Sequence, residues 1–143
     1  MQEILVVVTD GIERRGIVQA LDAAGYFVCG ASNFDEAKRF LSLMSPDLVI
    51  ADERLAAYNG LHVLLRARCE NPLVGAIVVS PVKQQALEVE AERLNVECVV
   101  KPKDAAKWPA LVSGMLGRDC APGVMNYLGG TASNRSFIPA PTS

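Results

Sequence analysis

The 143-residue sequence has few of the residues on which metal and nucleophile chemistry usually depends. It contains a single histidine, His62, and four cysteines that form no CxxC pair: Cys29, Cys69, Cys98 and Cys120. A zinc site would need unusual ligands, and a Ser-His-Asp or Cys-His centre would depend entirely on His62. We therefore expect reduced cysteines in a cytoplasmic protein, with Cys29 and Cys98 lying in strands as small hydrophobic residues.

The sequence also has no large excess of positive or negative charge and no long apolar run. Fourteen Lys and Arg against sixteen Asp and Glu give a net charge of -2, whereas a nucleic-acid-binding domain is usually strongly basic. The longest apolar run, Ile4–Val8, has five residues, far fewer than the roughly 18 of a membrane helix. The first residues, Met-Gln-Glu-Ile, include no basic segment, so no secretory signal is expected. We expect no direct contact of this domain with nucleic acid or membrane.

The sequence does contain a regular alternation of apolar runs and helix-like segments. Half of the residues are hydrophobic, which is enough for a buried core in a chain of this length. The apolar runs are short, and they lie at 4–8, 26–30, 48–51, 76–79 and 98–100. Unbroken runs of this kind are typical of strands covered on both faces. Their alternation with helices predicts a doubly wound α/β fold, with a five-stranded parallel sheet and helices on both faces.

Capping residues predict where two of the helices begin and end. Apolar residues at helical spacing predict a helix over 12–24, and Gly25 follows as its C-terminal cap. Ser32 or Asn33 can cap the second helix, and Glu36 is placed to bond back to Asn33. We therefore expect a box-like cap at the start of the second helix.

The end of the chain differs from the rest in composition. The last helix is expected to start near Trp108-Pro109, because proline is tolerated in a first turn, and Trp108 is expected to serve packing. Residues 118–143 are rich in Gly, Ser, Thr, Asn and Pro and have no sustained apolar periodicity. We predict one domain over residues 1–117, followed by a flexible tail or linker over 118–143.

Polar residues directly follow four of the predicted strands: Thr9, Asp10, Asp52, Ser80 and Lys101. Ligands of an open parallel sheet bind at the carboxyl ends of its strands, so these side chains are expected to converge on one edge. Two carboxylates there suggest a hard cation such as Mg²⁺, which takes one or two carboxylates together with water and phosphate oxygens. A neighbouring lysine can pair with an acid or hold a phosphoryl group, and a hydroxyl can donate to one of its oxygens.

Three short motifs surround these residues. The first is Pro-Asp-Leu-Val-Ile-Ala-Asp at 46–52, followed by Arg54-Leu55 and Asn59-Gly60. The second is Ile-Val-Val-Ser at 77–80, and the third is Val-Val-Lys-Pro at 99–102. Each motif is weak alone, but in this order and spacing they resemble the receiver domains of two-component response regulators. The resemblance spans about residues 4–116, roughly four-fifths of the chain.

The resemblance implies a role for each residue of the predicted site. Asp52 falls on the family's phosphoacceptor aspartate, Ser80 on its Thr/Ser switch and Lys101 on its signature lysine. A Mg²⁺ ion would be bound by Asp10, Asp52 and the backbone carbonyl of Arg54. The implied fold is flavodoxin-like, with strand order 2-1-3-4-5. The implied function is a phosphorylation-dependent signalling switch, with no enzymatic activity beyond self-catalysed phosphotransfer and autodephosphorylation.

The resemblance also implies partners. A histidine kinase or a phosphotransfer protein would donate the phosphoryl group to Asp52. A downstream effector or an output domain would then respond to the changed surface. The face made of the fourth helix, the fifth strand and the fifth helix is the expected surface for a homodimer.

Several residues depart from the pattern of receiver domains. An ungapped alignment puts Thr9 and Asp10 on the first two of the acids that normally follow strand one, so one carboxylate is lost and weaker Mg²⁺ binding is expected. Pro81 follows the switch serine and removes a backbone donor. Cys98 stands where an aromatic switch residue is common. Ala56 replaces a common proline of the loop after strand three, which is expected to loosen that loop.

Two other functions remain open at this stage. A pseudo-receiver would keep the fold as a phosphorylation-independent interaction or dimerisation module, and the thinned acidic cluster and Cys98 favour it. A small flavodoxin-like or hydrolase-type enzyme would need a Gly-rich phosphate loop or a nucleophile elbow. Neither G-x-G-x-x-G nor G-x-S-x-G occurs in the sequence.

The individual residues also have purely structural interpretations. Asp10 could cap the first helix instead of binding a metal ion. Asp52, Ser80 and Lys101 could be an ordinary strand-end carboxylate, a turn residue and a solvated lysine. His62 is expected to lie on the surface without a functional role.

Overall fold

Strands and helices alternate along the part of the chain that the computed structural model describes, residues 2–55 and 58–120. In chain order the elements are β1 (Glu3–Val7), α1 (Gly11–Ala23), β2 (Phe27–Ala31), α2 (Phe34–Leu43), β3 (Leu48–Asp52), β4 (Arg54–Leu55), β5 (Tyr58–Asn59), α3 (Gly60–Glu70), β6 (Gly75–Ser80), α4 (Gln85–Arg93), β7 (Glu97–Val100), a 3-10 turn (Ala105–Lys107) and α5 (Trp108–Cys120). The five predicted strands are all present, and their ends differ from the prediction by at most one residue.

Five strands form one parallel sheet in the order β2-β1-β3-β6-β7. Counted without the short β4 and β5, this is the predicted order 2-1-3-4-5, so that prediction is confirmed. The register places Val7 beside Ala51, Asp52 beside Val79, and Ser80 beside Val100. Because all five strands run in the same direction, the residues that follow them lie along one edge of the sheet.

Both faces of the sheet are covered. Alternate residues of the central strands belong to one buried cluster with residues of α2, α3 and α4; they are Leu5, Val7, Val49, Ala51, Ala76 and Val78. The residues between them point to the opposite face, and they too are buried: Ile4, Val6, Leu48, Ile50, Ile77 and Val79. α1 buries Ile17 and Leu21 and contacts β1 and β2. The fold is therefore doubly wound, as predicted from the unbroken apolar runs.

The segment after β3 was predicted as a loop, but the structure forms a short hairpin there. β4 and β5 pair in antiparallel fashion, with Arg54 opposite Asn59 and Leu55 opposite Tyr58. Leu55 is buried, and the ring of Tyr58 stacks on that of Phe34 with 4.5 Å between the ring centroids. The loosening expected from Ala56 concerns a residue outside the described part of the chain.

The end of α1 confirms the predicted glycine cap. Gly25 has a φ of 101°, a left-handed conformation that costs a residue without a side chain little. Its N–H donates to the carbonyl of Asp22 at 3.0 Å. The chain then turns into β2.

The start of α2 differs from the predicted capping box in one partner. The side chain of Asn33 accepts a bond from the backbone N–H of Glu36 at 2.8 Å, as expected of a cap. Glu36, however, bonds back to Ser32 and not to Asn33. One of its carboxylate oxygens accepts from the backbone N–H of Ser32 at 2.7 Å and from its hydroxyl at 2.8 Å. The prediction was wrong about this partner, because Ser32 offers Glu36 two hydrogen-bond donors, its backbone N–H and its hydroxyl.

Arg68 of α3 joins three segments of the backbone. Its guanidinium donates to the carbonyl of Val74, just before β6, at 2.9 Å. It also donates to the carbonyls of Leu94 and Asn95 at 3.3 and 3.0 Å, just after α4. Asn95 itself has a φ of 58°, so the chain reverses sharply at this point. One cation therefore ties the C-terminal end of α4 to α3.

The last described helix begins at Trp108, as predicted, and Trp108 is fully buried. α5 continues to Cys120, so residues 118–120, predicted as part of the tail, are helical. The rest of the predicted tail, 121–143, lies outside the described residues. The chain divides into two units, residues 1–109 with the sheet and residues 110–143, and the domain boundary at 117 stays a prediction.

Glu36→Gln is expected to destabilise the protein at neutral pH but not in acid. The bonds from the Ser32 amide and hydroxyl lower the pKa of Glu36, so the unfolded state binds the proton more tightly than the folded state does. The stabilisation is therefore present above the ordinary pKa of a glutamate and is lost as the pH falls through the lower folded value. Urea unfolding of wild type and variant at neutral pH and at about pH 3 measures the difference. The exposed Glu92→Gln is the control, and an equal effect of Glu36→Gln at both pH values would refute the explanation.

Candidate functional site

Asp52 and Lys101 meet at the carboxyl edge of the sheet. Asp52 is the last residue of β3 and is 9% exposed, while Lys101 directly follows β7. The Nζ atom of Lys101 lies 2.8 Å from Oδ1 of Asp52. The two residues that the Pro-Asp…Asp and Lys-Pro motifs singled out are therefore in direct contact, across the intervening strand β6.

A third charged residue, Glu13, was missed in the sequence. Its Oε2 and Oε1 atoms lie 3.0 and 3.1 Å from Nζ of Lys101. Glu13 is the acid in the first turn of α1, the helix that starts at the edge where β1 ends. The signal available was this position: the first turn of a helix that follows a strand lies beside the carboxyl edge.

The two carboxylates keep the lysine charged. Burial lowers the pKa of Lys101, but the hydrogen bonds that its ammonium donates to Asp52 and Glu13 and the charges of both acids outweigh burial, so the pKa rises above its ordinary value. Lys101 is therefore an ammonium ion at neutral pH. A fixed positive charge beside Asp52 suits a site where negative charge is added.

Asp10 has the structural role that was its alternative interpretation. Its Oδ1 atom accepts from the backbone N–H groups of Ile12 and Glu13 at 2.9 and 3.1 Å, and so caps α1. Thr9 and Asp10 are both exposed. Val7, the last residue of β1, pairs with Ala51, the residue before Asp52, and Val8, which follows β1, is fully buried. The residue that directly follows β1 is therefore apolar and not an acid.

Ser80 ends β6 and is buried, next to the strand that carries Asp52. Its hydroxyl donates to the backbone carbonyl of Val82 at 2.6 Å. Its own carbonyl accepts from the backbone N–H of Lys101 at 2.8 Å. The hydroxyl is therefore engaged with the loop that leads to α4, while the backbone ties Ser80 to the site lysine.

A side-chain hydrogen bond links the residue after Asp52 to the start of α4. Nε2 of Gln84 donates to Oε1 of Glu53 at 2.6 Å. Gln84 occupies the N-cap position of α4 but makes no capping bond with its side chain. The β3–α3 and β6–α4 connections are thus joined beside Asp52, a contact that the sequence motifs did not indicate.

Gly60 brings the start of α3 against the backbone of Asp52. A Cβ atom added at Gly60 would lie 1.9 Å from the carbonyl oxygen of Asp52, closer than any side chain permits. The N–H of Gly60 donates to the carbonyl of Glu53 at 2.8 Å. Next to it, Asn59 and His62 form a capping box, and His62 is exposed as predicted.

The oxygen donors at this edge suit a weakly held Mg²⁺ ion. Residues 2–55 and 58–120 contain no group of three or more His, Cys, Asp or Glu side chains arranged to hold a metal ion. Mg²⁺ does not need one, because it binds through one or two carboxylates and completes its shell with water and phosphate oxygens. Asp52 is a buried carboxylate of this kind, although Lys101 already neutralises part of its charge. The residues present fit the ion, with fewer acids than a tight site has.

Cys98 lies in β7, half-buried, at the position where an aromatic residue was expected from the resemblance. Burial, followed by the charges of Glu88, Glu53 and Glu97, raises the pKa of its thiol. The thiol is therefore protonated at neutral pH and a poor nucleophile. Cys29, Cys69 and Cys98 are all free thiols, as predicted for these three.

The sequence was also compared with models of known protein families. The model of the response regulator receiver domain matches residues 4–112. The chain belongs to the response regulator receiver domain family. Receiver domains are regulatory phosphoacceptor domains, generally without enzymatic activity, that bind Mg²⁺ at the phosphorylation site and interact with histidine kinases and output domains.

Individual relatives cover most of this receiver domain. "Protein CcdB" of Bacillus subtilis (strain 168) is 29% identical over 119 residues, which are 82% of this chain and 99% of that protein. A CheY-like receiver domain protein from Methanospirillum hungatei JF-1 has a similar structure, with a TM-score of 0.76 and 20% identity, covering 83% of this chain and 96% of that one. A response regulator from Burkholderia pseudomallei with a phosphorylated aspartic acid, calcium ion and citrate has a TM-score of 0.73 and 18% identity, covering 83% and 69%. The structural likenesses establish the shared fold.

Within the described part of this receiver domain, no helix is both long enough and apolar enough to cross a membrane.

Gly60→Ala is expected to lower the free energy of unfolding by about 1–3 kcal/mol, because the methyl group collides with the Asp52 carbonyl and forces the backbone apart. Gly16→Ala in α1 is the matched control, since its methyl group would meet Ala105 only at an ordinary contact distance of 3.7 Å. That control is expected to stabilise the protein by about 0.5–1 kcal/mol. Urea unfolding measures both, and equal effects of the two substitutions would contradict the close approach.

Proposed function

We propose that this receiver domain is a phosphorylation-dependent switch that accepts a phosphoryl group on Asp52 from the phosphohistidine of a histidine kinase or a phosphotransfer protein. The observation that carries the proposal is the contact between the buried Asp52 carboxylate and the Lys101 ammonium at the carboxyl edge of the sheet. A carboxylate held there by a fixed cation suits nucleophilic attack on phosphorus.

The bonds made and broken in the proposed transfer step involve only Asp52 and the phosphohistidine of the donor. An oxygen of the Asp52 carboxylate attacks phosphorus, and the bond between phosphorus and the imidazole nitrogen breaks. The electron pair of that bond returns to the nitrogen of the donor histidine. Because Lys101 holds Oδ1, we assign Oδ2 as the attacking atom. The product is a mixed anhydride of Asp52, and Lys101 offsets part of the charge of the transferred group.

Ser80 is proposed to report the modification. A phosphoryl oxygen on Asp52 is a stronger acceptor than the Val82 carbonyl, because it carries charge. The Ser80 hydroxyl would therefore leave Val82 and bond to the phosphoryl group, which releases the loop before α4. A two-state change of this loop is what a partner would recognise.

The proposed metal site consists of Asp10, Asp52 and the backbone carbonyl of Arg54. Bound Mg²⁺ would neutralise charge on the phosphoryl oxygens. For Asp10 this role requires Oδ2, since Oδ1 accepts the two bonds from α1. The donor set supports weaker binding than a cluster of consecutive acids would give.

We propose two kinds of partner besides the phosphoryl donor. α4 and β7 expose Val89 and Val100, each about half accessible, which supports a homodimer or effector contact on that face. An effector or output domain would respond to the phosphorylated form, and a cytoplasmic location follows from a kinase partner that uses cytoplasmic ATP.

A pseudo-receiver is the second candidate. The observations that favour it are the buried Val8 directly after β1 and the capping role of Asp10, since both reduce the acids available to the phosphoacceptor. Such a module would keep the exposed α4–β7 face as a constitutive interaction surface. It would not need the Ser80 hydroxyl.

Incubation with acetyl phosphate and Mg²⁺ is expected to add one phosphoryl group to the wild-type protein, detected by intact mass. Asp52→Asn is expected to abolish the adduct, because the amide is not a nucleophile, and Asp10→Ala is expected to reduce it. Asp47→Asn, at the other end of β3, is the control and should accept the group normally. Absence of a wild-type adduct, both with acetyl phosphate and with a panel of histidine kinases, would favour the pseudo-receiver.

Ser80→Ala is expected to accept the phosphoryl group but to lose the change in the loop before α4. Hydrogen exchange of the amides of residues 82–87, with and without phosphorylation, measures that change. The control is Ser42→Ala, which removes a hydroxyl that donates to the Arg39 carbonyl at 2.7 Å on the exposed side of α2. An exchange response in Ser80→Ala equal to that of the wild type would exclude Ser80 as the switch.

A further inference from the structure

Glu13 holds the site lysine more extensively than the phosphoacceptor does. Both of its carboxylate oxygens lie within 3.1 Å of Nζ of Lys101, whereas Asp52 contacts Nζ through Oδ1. The Lys101 and Glu13 side chains are only 18% and 30% exposed. An ion pair shielded in this way is screened less by water and salt than an exposed pair.

The contact matters most after phosphoryl transfer. Asp52 is an anion before the transfer, but as a mixed anhydride its carboxyl group no longer carries the charge that held Lys101. Glu13 is unchanged by the reaction. A lysine side chain has four rotatable bonds and a strongly hydrated head, so a fixed partner is needed while its other contact passes from the Asp52 carboxylate to the phosphoryl oxygens. Glu13 is the partner that still fixes the ammonium when it must bind the phosphoryl oxygens.

We propose that Glu13 is a positioning residue for phosphoryl transfer, which keeps the Lys101 ammonium beside Asp52 before and after the reaction. This inference rests on the proposed function. It also accounts for the apolar end of β1: Val8 is buried, and the acid that faces the lysine comes from the first turn of α1 instead.

A merely structural role for Glu13 makes a different prediction. An acid in the first turn of α1 stabilises the helix through its dipole, and either Glu13→Ala or Glu13→Gln would remove that charge. The two variants differ in the site, because glutamine keeps an oxygen that can accept from the lysine and alanine does not. Positioning therefore predicts rescue by glutamine, whereas a charge effect on the helix predicts none.

The test measures phosphorylation rates of the full chain by intact mass, at increasing acetyl phosphate with saturating Mg²⁺ and at increasing Mg²⁺ with saturating acetyl phosphate. Glu13→Ala is expected to lower the maximal rate about tenfold, because a misplaced lysine no longer meets the transferring group. The acetyl phosphate concentration at half-maximal rate should change little, and Glu13→Gln, which keeps one acceptor oxygen without the charge, should recover part of the rate. Asp22→Ala, which removes an exposed acid from the last turn of the same helix, should match the wild type.

Four outcomes would overturn the inference. A wild-type rate in Glu13→Ala would refute the positioning role and leave the proposed function intact. Equal losses in Glu13→Ala and Glu13→Gln, or a shift in the Mg²⁺ concentration at half-maximal rate, would assign Glu13 to helix stability or to the metal ion instead. No adduct on the wild-type protein, with acetyl phosphate and with the panel of histidine kinases alike, would overturn the proposed function and this inference together. Thermal unfolding of each variant by circular dichroism confirms that the compared proteins are folded.

Discussion

A carboxylate that is taken out of water must be paired with a positive charge, and this constraint governs the centre of the molecule. Asp52 is almost fully buried at the end of β3, and leaving it unpaired would cost several kcal/mol. Lys101 can reach it only because β7 runs parallel to β3 and ends at the same edge. The lysine side chain is itself largely withdrawn from water, and its charge is balanced by Glu13 on α1. The ion pairs of Lys101 with Asp52 and Glu13 therefore connect the ends of β3 and β7 with the first turn of α1.

The fold and most of the site could be predicted from the sequence because each depends on a short-range pattern. The apolar runs identify the strands that are buried on both faces. In a parallel sheet, the residue that follows each run lies at the carboxyl edge of the sheet. Asp52, Ser80 and Lys101 each directly follow such a run, so their placement needed no tertiary information. Asp10 also follows an apolar run, but it directly precedes α1, so its side chain caps that helix.

The features that could not be predicted depend on side-chain direction or on neighbours in space. Glu13 lies in the first turn of α1, near the carboxyl edge, but its contact with Lys101 joins residues 88 positions apart in the sequence and depends on the direction of both side chains. The β4–β5 hairpin is held by the stacking of Tyr58 on Phe34, a contact between two elements that are distant in the chain. Glu36 bonds to Ser32 because the backbone N–H and the hydroxyl of Ser32 both point to the same carboxylate oxygen. That arrangement depends on the backbone conformation before α2, which the sequence does not give.

The Arg68 contacts also determine how α4 can move. They hold the carbonyls just after the helix, while the other end is held through Gln84 and the loop that Ser80 engages. A rigid-body motion that keeps the Arg68 bonds would turn α4 about its C-terminal end, with the pivot near Asn95. The helix has nine residues and is about 13 Å long, so a rotation of about 10° would displace its first turn by about 2 Å. Such a rotation would move the start of α4 most and its end least.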